Sequence, residues 1–434
     1  MRSPSVFSAR APAFILALAT LLGTASCTTL AAPPGPAATA SPASATATAP
    51  DTSDPVDSFP AWIANFSQDA LKAGISRATI AATLGKARWL PQVIELDRAQ
   101  PEFVRPVWQY LDGAVSTQRI VAGKAQQLLH AKAFDEAAAR YGVPASIITA
   151  IWGIESSYGT HFGNFRTVDA LATLAYDGRR RDWAKSELMA ALTIVDKGLM
   201  SADRLIGSWA GAMGHTQFLP SVYLKYAVDV SGQGKPDIWG SVPDVAASTA
   251  NFLAQSGWRP SEPWGAEVRL PADFDYSRTE LSVRQDSDVW AAQGVRSIDG
   301  KPLPTMLAAS ILTPAGTRGP AVMVGNNFRV LLRYNSSTSY ALAVSLLAQQ
   351  LDGGPGLLAV WPRELKPLAR TEIEAMQLAL NRLAMDAGEA DGVMGPATRA
   401  GLRRFQQSLK LPADGFPTPE LLQRLLQQAA THKP

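Results

Sequence analysis

The segment Ile147–Gly159 reads IITAIWGIESSYG and decides the fold of this 434-residue chain. From Ile147 to Ile154 the side chains are apolar or small on every side of a helix, and Pro144 stands at a favourable helix start. A helix that is apolar all round is normally buried in a protein core. The segment therefore predicts a buried helix that ends in a carboxylate, Glu155.

Glu155 is the first candidate for chemistry because a buried carboxylate is costly unless it is paired or used. Desolvation and the negative end of the helix dipole both raise the pKa of such a group. A carboxylic acid that stays protonated near neutral pH can protonate a glycosidic oxygen. The pattern leaves one alternative open, in which Glu155 pairs with an arginine or lies exposed at a frayed helix end.

A second candidate segment, Gly207–Ser221, reads GSWAGAMGHTQFLPS. Its glycines and other small residues permit close approach of the backbone to a ligand. The aromatic residues that could stack on sugar rings are Trp209, Phe218 and Tyr223. The polar residues that could hold hydroxyl or N-acetyl groups are Ser208 and Gln217. The alternative interpretation is a tightly packed turn of small residues.

Hydrophobic periodicity indicates a globular unit over residues 59–351, rich in helices at first and in short strands later. The predicted helices are Ala125–Tyr141, Trp183–Lys197, Val242–Gly257 and Ser339–Leu351. The predicted strands are Val268–Leu270, Met306–Thr313, Ala321–Val324 and Phe328–Leu332. The expected fold class is mainly α (α+β), a helical lobe with a small β subdomain.

Residues 1–27 are typical of an export signal. The apolar run Ala11–Leu22 follows two arginines and is shorter than the roughly 20 residues that span a bilayer. The only cysteine, Cys27, follows small residues in a pattern that resembles a bacterial lipoprotein box, except that Thr24 stands where leucine is usual. Cys27 is therefore either the lipidated first residue, or part of an ordinary signal cleaved after Ala31 or Ala32. Both alternatives place the mature protein outside the cytoplasm.

Residues 28–58 consist largely of Ala, Pro, Ser and Thr and carry almost no large apolar side chains, which predicts a disordered tether. A second linker is expected over residues 352–367, and a small module over residues 368–430. Thr371 and Glu374 are spaced as a capping box. Two Asp-Gly turns then precede Pro396 and Pro419, each a first helical residue, and this repeat predicts three helices. The alternative is a helical cap with a structural role alone.

Composition excludes several classes of function. The chain has 40 Lys+Arg and 37 Asp+Glu, a net charge of +3 that does not indicate nucleic acid as a partner. One cysteine excludes an intramolecular disulfide. The four histidines lack zinc-site spacing, so no metal and no cofactor are expected.

Three separated motifs in order carry a resemblance to the family-B lytic murein transglycosylases. They are Ile154–Gly159, Gly207–Ser221, and Tyr334-Asn335-Ser336 with Tyr340-Ala341. The resemblance implies a lysozyme-like fold with Glu155 as the sole catalytic acid and base. The residues that it places in the substrate cleft are Tyr110, Ser208, Gln217, Asn335 and Tyr340. Residues 368–430 resemble the peptidoglycan-binding module often fused to wall enzymes.

The resemblance also implies the reaction, which cleaves the β-1,4 bond between N-acetylmuramic acid and N-acetylglucosamine and leaves 1,6-anhydro ends. The expected partners are peptidoglycan glycan strands. The enzyme is expected to be a periplasmic monomer, which a lipid on Cys27 could anchor to the outer membrane. Two alternatives stay open: a lysozyme-type muramidase that hydrolyses the same bond, and an inert wall-binding scaffold.

One departure from the family concerns residues 229–240, where some members carry an EF-hand-like calcium loop. Such a loop needs oxygen ligands at positions 1, 3, 5 and 9 and usually an acid at 12. Here Gln233 stands at position 5 and Gly240 at position 12, so that only Asp229 and Asp237 supply charge. The sequence therefore predicts a structural loop rather than a calcium site.

Overall fold

The computed structural model describes residues 58–99 and 105–432. The predicted signal and nearly all of the predicted tether lie outside the described residues. The helices are α1 Phe59–Lys72, α2 Arg77–Ala82, α3 Pro91–Ala99, α4 Val107–Ala114, α5 Thr117–Leu129, α6 Ala131–Tyr141, α7 Ala145–Ser156, α8 Thr167–Asp177, α9 Arg181–Asp196, α10 Pro220–Tyr226, α11 Val242–Gln255, α12 Ser287–Ala292, α13 Asn326–Tyr334, α14 Thr338–Leu351, α15 Arg370–Arg382, α16 Pro396–Ser408 and α17 Pro419–Thr431. The strands are β1 Phe165–Arg166, β2 Ile206–Gly207, β3 Gly265–Arg269, β4 Arg296–Ser297, β5 Ser310–Leu312 and β6 Ala321–Val324. None of the helices in the described ranges is long and apolar enough to cross a bilayer.

Helix α7 lies at the centre of the large helical unit, and the prediction of a buried helix is confirmed. Every residue from Ser146 to Ser156 is buried, and α5, α6, α11 and α14 pack around the helix. Its β-branched residues are poor helix formers in isolation. Each fully buried isoleucine contributes about 1.5–3 kcal/mol, however, so packing rather than propensity stabilises α7.

The predicted helix Ala125–Tyr141 is wrong as a single element. It is two helices, α5 and α6, which meet at His130, a residue with φ −114° and ψ 25°. Leu128 and Leu129, which suggested a continuous apolar face, are 82% and 71% exposed. They lie on the outer side of the last turn of α5, where spacing alone gives no sign of the change in direction.

The small β subdomain is a four-stranded antiparallel sheet with the order β4-β3-β6-β5. The predicted strand Phe328–Leu332 is wrong, because these residues belong to α13. Apolar side chains at Phe328, Val330 and Leu332 recur at the two-residue period of a strand, but Asn327 fixes the first turn of a helix. The amide of Asn327 accepts from Arg259 N at 2.9 Å and donates to the backbone oxygens of Arg259 and Glu262 at 2.9 and 2.7 Å.

Helices α15–α17 form the predicted three-helix module around a core of their own, with Pro396 and Pro419 at first helical positions. The predicted capping box is wrong by two residues. Helix α15 begins at Arg370, and the carboxylate of Glu372, not Glu374, accepts from Ala369 N at 2.7 Å.

The sequence repeat in this module is also a repeat of side-chain contacts. Gln377 donates to Asp391 Oδ1 at 2.9 Å and accepts from Gly392 N at 2.8 Å. One helix later, Gln406 donates to Asp414 Oδ1 at 2.6 Å and accepts from Gly415 N at 2.8 Å. Each glutamine therefore holds the Asp-Gly turn that leads into the next helix.

The module contacts the β subdomain through the second of these turns. Asp414 Oδ2 accepts from Thr317 N at 2.9 Å, and Arg403 forms an ion pair with Glu280. The preceding connection, residues 352–369, contains no helix or strand but also lies against the large unit. There, Arg363 donates to both carboxylate oxygens of Asp112 at 2.7 and 2.8 Å.

Candidate active site

Glu155 lies in the last turn of α7 and is 7% exposed. Tyr340, in the first turn of α14, donates its hydroxyl hydrogen to Glu155 Oε1 at 2.6 Å. Burial raises the pKa of Glu155 to about 8, against the opposing effect of the Tyr340 hydrogen bond. Glu155 forms no ion pair with any described residue, so neither the arginine-paired nor the frayed-end alternative holds. Burial therefore favours the protonated, neutral form of the Glu155 side chain at neutral pH.

Three tyrosines surround this carboxyl group. Tyr334 stacks on Tyr340 with ring centroids 6.4 Å apart, and its hydroxyl donates to Thr216 O at 2.6 Å. Burial, and after it the nearby charge of Glu155, raises the pKa of the phenol of Tyr110 on α4. Tyr334 belongs to the third family motif, Tyr334-Asn335-Ser336, but it was not predicted as a site residue. It joins the end of α13 to the segment Gly207–Ser221.

The polar residues predicted for the cleft are held by backbone contacts. Ser208 Oγ accepts from Ala212 N at 3.1 Å, and Asn335 Oδ1 accepts from Ser337 N at 3.0 Å. Gln217, with φ 50°, donates from its amide nitrogen to Phe162 O at 3.0 Å and to Gly214 O at 2.8 Å. Both amide hydrogens of Gln217 are thereby engaged, which leaves its Oε1 to accept from a ligand.

Gly207, in the second segment, and Gly163, which lies against it, allow backbone to pack on backbone. A Cβ on Gly207 would lie 2.0 Å from Ala212 O, and one on Gly163, where φ is +96°, would lie 2.0 Å from Gly207 O. The interpretation of a tightly packed turn therefore describes these positions. Two of the three predicted stacking residues are wrong, because Phe218 and Tyr223 are each only 2% exposed. They belong to the core beneath the site.

The third predicted stacking residue, Trp209, is partly exposed and packs beside a buried ion pair. The Arg180 guanidinium lies 5.6 Å from the Trp209 ring centroid and pairs with Asp97, which is 1% exposed. Asp97 has no local signal in the sequence, because its partners lie 82 and 83 positions away.

The other buried carboxylates among the described residues are Asp97, Asp169, Glu187 and Asp244. Each has partners of its own, such as Arg166 for Asp169 at 3.4 Å and the Ser221 hydroxyl for Glu187 at 2.7 Å. None of them is hydrogen-bonded to Glu155 or its tyrosines. Asp97 and Asp169 pair with arginines, and Glu187 and Asp244 each accept two hydrogen bonds, whereas Glu155 accepts only the Tyr340 hydroxyl among the described residues and its pKa is raised to about 8.

The loop over residues 229–240 directs its carboxylates onto its own backbone. Asp229 accepts from Gly232 N at 2.9 Å, and Asp237 accepts from Trp239 N at 2.9 Å. Asp244, outside the predicted loop and 3% exposed, accepts from Val230 N and Asp237 N at 3.0 and 2.8 Å. Within the described ranges no group of three or more His, Cys, Asp or Glu could hold a metal ion.

A mainly helical lobe that holds one buried, neutral carboxylic acid beside small antiparallel sheets defines a glycan-cleaving enzyme of the lysozyme-like fold. The sequence model of the transglycosylase SLT domain matches residues 58–349, and that of the peptidoglycan-binding domain matches residues 369–425. The chain belongs to the family-B lytic transglycosylases, and it carries a C-terminal peptidoglycan-binding domain.

Three relatives agree with this assignment. Membrane-bound lytic murein transglycosylase B of Escherichia coli K12 is 33% identical over 294 residues, 64% of this chain and 79% of the relative. SltB3 of Pseudomonas aeruginosa, solved with NAG-NAM-pentapeptide, is 49% identical with a TM-score of 0.82, over 85% of this chain and 100% of SltB3. Slt35 of Escherichia coli, solved with calcium, is 30% identical with a TM-score of 0.59, over 68% of this chain and 92% of Slt35. The protein is a lytic transglycosylase that acts on peptidoglycan.

Proposed function

We propose that the enzyme cleaves the β-1,4 bond between N-acetylmuramic acid and N-acetylglucosamine with Glu155 as its single acid and base, and leaves 1,6-anhydro ends. The observation that carries this proposal is the burial of Glu155, which raises its pKa to about 8. A muramidase would instead need a second carboxylate, either as nucleophile or to activate water. In the described residues every other buried carboxylate is occupied elsewhere, which favours the lyase.

In the first step the protonated Glu155 gives its proton to the bridging oxygen, and the bond from that oxygen to the muramic acid C1 breaks. In the second step the Glu155 carboxylate takes the proton from the 6-hydroxyl of the same muramic acid. That oxygen then bonds to C1 and closes the anhydro ring, so no water is consumed. The Tyr340 hydroxyl, 2.6 Å from Glu155 Oε1, stabilises the carboxylate that exists between the two steps.

We assign the cleft around Glu155 to the glycan strand, lined by Tyr110, Ser208, Gln217, Asn335 and Tyr340. Gln217 Oε1 is a suitable acceptor for a sugar hydroxyl or an N-acetyl N–H group, because the amide nitrogen already donates to two backbone oxygens. The fixed orientation of that amide would favour one register of the strand over others.

The domain boundaries and the location belong to the same proposal. Residues 59–351 would form the catalytic domain, and residues 368–430 would hold the enzyme on the wall. The chain would work as a monomer in the periplasm, with Cys27 as a lipidation site in the outer membrane. SltB3, solved with NAG-NAM-pentapeptide, supports this division of the chain, because it is 49% identical over 85% of this chain and 100% of SltB3.

Digestion of purified sacculi tests the reaction. Wild type should release muropeptides with anhydro ends, whereas the Glu155→Gln variant should release none and still sediment with the wall. A muramidase would give reducing ends, and an inert scaffold would give no soluble product with wild type. Either result would overturn the proposal.

A further inference from the structure

A second pocket, with a volume of about 320 Å³, lies beside α13 and shares no residue with the surroundings of Glu155. Arg329 and Arg333, one helical turn apart on α13, line one side of it. Arg284, from the segment between β3 and α12, also lines the pocket, and Leu281 and Val330 add apolar surface. Three arginines therefore converge on one small cavity.

None of these three arginines forms an ion pair in the part of the chain that the structure describes. Arg329 donates to Ser310 Oγ at 2.6 Å, and its Nε is buried without a hydrogen-bond partner. Burial and the nearby charge of Arg284 both lower the pKa of Arg329. The pocket thus concentrates positive charge that no carboxylate of the described residues neutralises.

Two other arginines with low exposure in the described residues pair with carboxylates. Arg180 pairs with Asp97, and Arg403 pairs with Glu280. An unpaired, partly buried guanidinium is costly, and a second cation beside it raises that cost. A ligand with an oxyanion would remove the cost, because the guanidinium fork matches a carboxylate in two hydrogen bonds.

We propose that this pocket binds a carboxylate of a peptide stem of peptidoglycan, an inference that rests on the proposed function. Arg333 directly precedes Tyr334 and Asn335, so α13 connects the pocket with the tyrosines around Glu155. Stems project at intervals along the glycan, and a strand in the cleft can present one to a neighbouring surface. The apolar side of the pocket, formed by Leu281 and Val330, suits the methyl groups of a short peptide.

Calorimetry on the full chain with Glu155→Gln, which does not consume its ligand, tests the proposal. The probes are the disaccharide with a pentapeptide stem, the same disaccharide without it, and inorganic phosphate. We expect the stem to improve affinity about tenfold, equivalent to about 1.4 kcal/mol. When Arg284→Gln or Arg329→Gln is added to the Glu155→Gln protein, the improvement in affinity that the stem gives should fall below about twofold. The proposal is overturned if the stem does not improve affinity in the Glu155→Gln protein, or if the improvement persists in both arginine variants.

Two further arms separate charge and folding from recognition. Arg77, exposed and without an ion pair, is the matched control, and Arg77→Gln should keep the full preference for the stem. Arg329→Lys keeps the positive charge but lacks the forked guanidinium, so it should keep only part of the preference for the stem. Competition between phosphate and the peptide stem supports recognition of an oxyanion. If phosphate binds but the stem adds no affinity to the disaccharide, the stem is not the ligand of this pocket. Because binding is measured rather than turnover, a failure here leaves the anhydro-product test of the proposed function intact.

Discussion

Tyr340 and Glu155 are 185 positions apart in the chain, and the 2.6 Å hydrogen bond between them joins α14 to α7 at the site. The two influences on Glu155 oppose each other. Burial favours the neutral acid, whereas the tyrosine hydroxyl favours the carboxylate. A pKa of about 8 lets one group give a proton first and accept one afterwards at a similar pH.

We expect Tyr340→Phe to move the alkaline limb of the pH–rate profile upward. Activity needs protonated Glu155, so the rate falls as pH rises through its pKa. Without the Tyr340 hydroxyl the carboxylate loses about 1.5–3 kcal/mol of stabilisation, which corresponds to about one to two pH units. The profile of kcat/KM for anhydro-product release between pH 5 and 10 measures the shift.

Tyr334→Phe is the matched control for that experiment, because the Tyr334 hydroxyl donates to Thr216 O and not to Glu155. Its alkaline limb should stay at the wild-type position even if the rate falls. An alkaline limb that moves downward in Tyr340→Phe would contradict the role given to this hydrogen bond.

Replacement of Glu155 should also stabilise the fold in a pH-dependent way. The pKa of about 8 in the folded protein lies above the ordinary value of 4.5 for a glutamate side chain. Below pH 4.5 both states are protonated and there is no penalty, but between pH 4.5 and 8 the unfolded state ionises freely while the folded state does not. Stability of wild type is therefore lost over that window, by an amount on the order of a few kcal/mol.

The melting temperatures of wild type and Glu155→Gln as a function of pH measure this penalty. The difference should be small near pH 4, grow in favour of the variant up to about pH 8, and then level off. A constant difference over the whole range would show that Glu155 ionises as freely when folded as when unfolded.

How far the sequence predicts the site depends on whether the signal is local. The apolar surroundings of Glu155 lie within one helix and could be predicted from spacing. Tyr340 was expected only through resemblance to a family, because nothing in the spacing relates α14 to α7. Arg329 had no signal at all, since its lack of a partner becomes visible only when α13 and the segment before α12 are brought together.

The fold shows the same limit. The segment 328–332 is rich in apolar residues at strand spacing, and the contacts that make it helical come from Asn327 to residues 65 and 68 positions away. Likewise, nothing local to Leu128 and Leu129 reveals that the chain turns at His130. Buried helices and proline starts were predicted correctly because their causes lie within a few residues.

The loop over residues 229–240 should not be stabilised by calcium. Asp229 and Asp237 already accept backbone N–H groups, and Gly240 offers no side-chain ligand at the last position. Millimolar calcium should raise the melting temperature no more than magnesium at equal concentration. Slt35, solved with calcium, is the positive control. A rise specific to calcium in the present chain would contradict this account.

Asp244 should carry the stability of that loop instead. Its two carboxylate oxygens accept from Val230 N and Asp237 N. Asp244→Asn retains one acceptor and should lower the free energy of unfolding by about 1–3 kcal/mol. Thermal unfolding measures the loss, and Asp203→Asn, at an exposed position, should leave the melting temperature unchanged.

The contact of the peptidoglycan-binding module with the β subdomain should depend on Glu280. Glu280→Gln leaves the guanidinium of Arg403, whose side chain is 10% exposed, without its carboxylate. Because Glu280 is itself 40% exposed, the expected cost is about 1–2 kcal/mol rather than that of a fully buried pair. Limited proteolysis should then cut residues 352–369 faster than in wild type, whereas Glu374→Gln, on an exposed face of α15, should not change the rate.

Deletion of residues 368–434 separates the two contributions of the module. Sacculus binding in a sedimentation assay should weaken, while cleavage of short soluble glycan strands should persist, because Glu155 and its tyrosines all lie before residue 352. Glu280→Gln should still bind sacculi, although proteases should cut residues 352–369 more rapidly than in wild type. If the deletion leaves binding to sacculi unchanged, the module acts as a structural cap, and the contacts of Arg403 and Asp414 explain its presence.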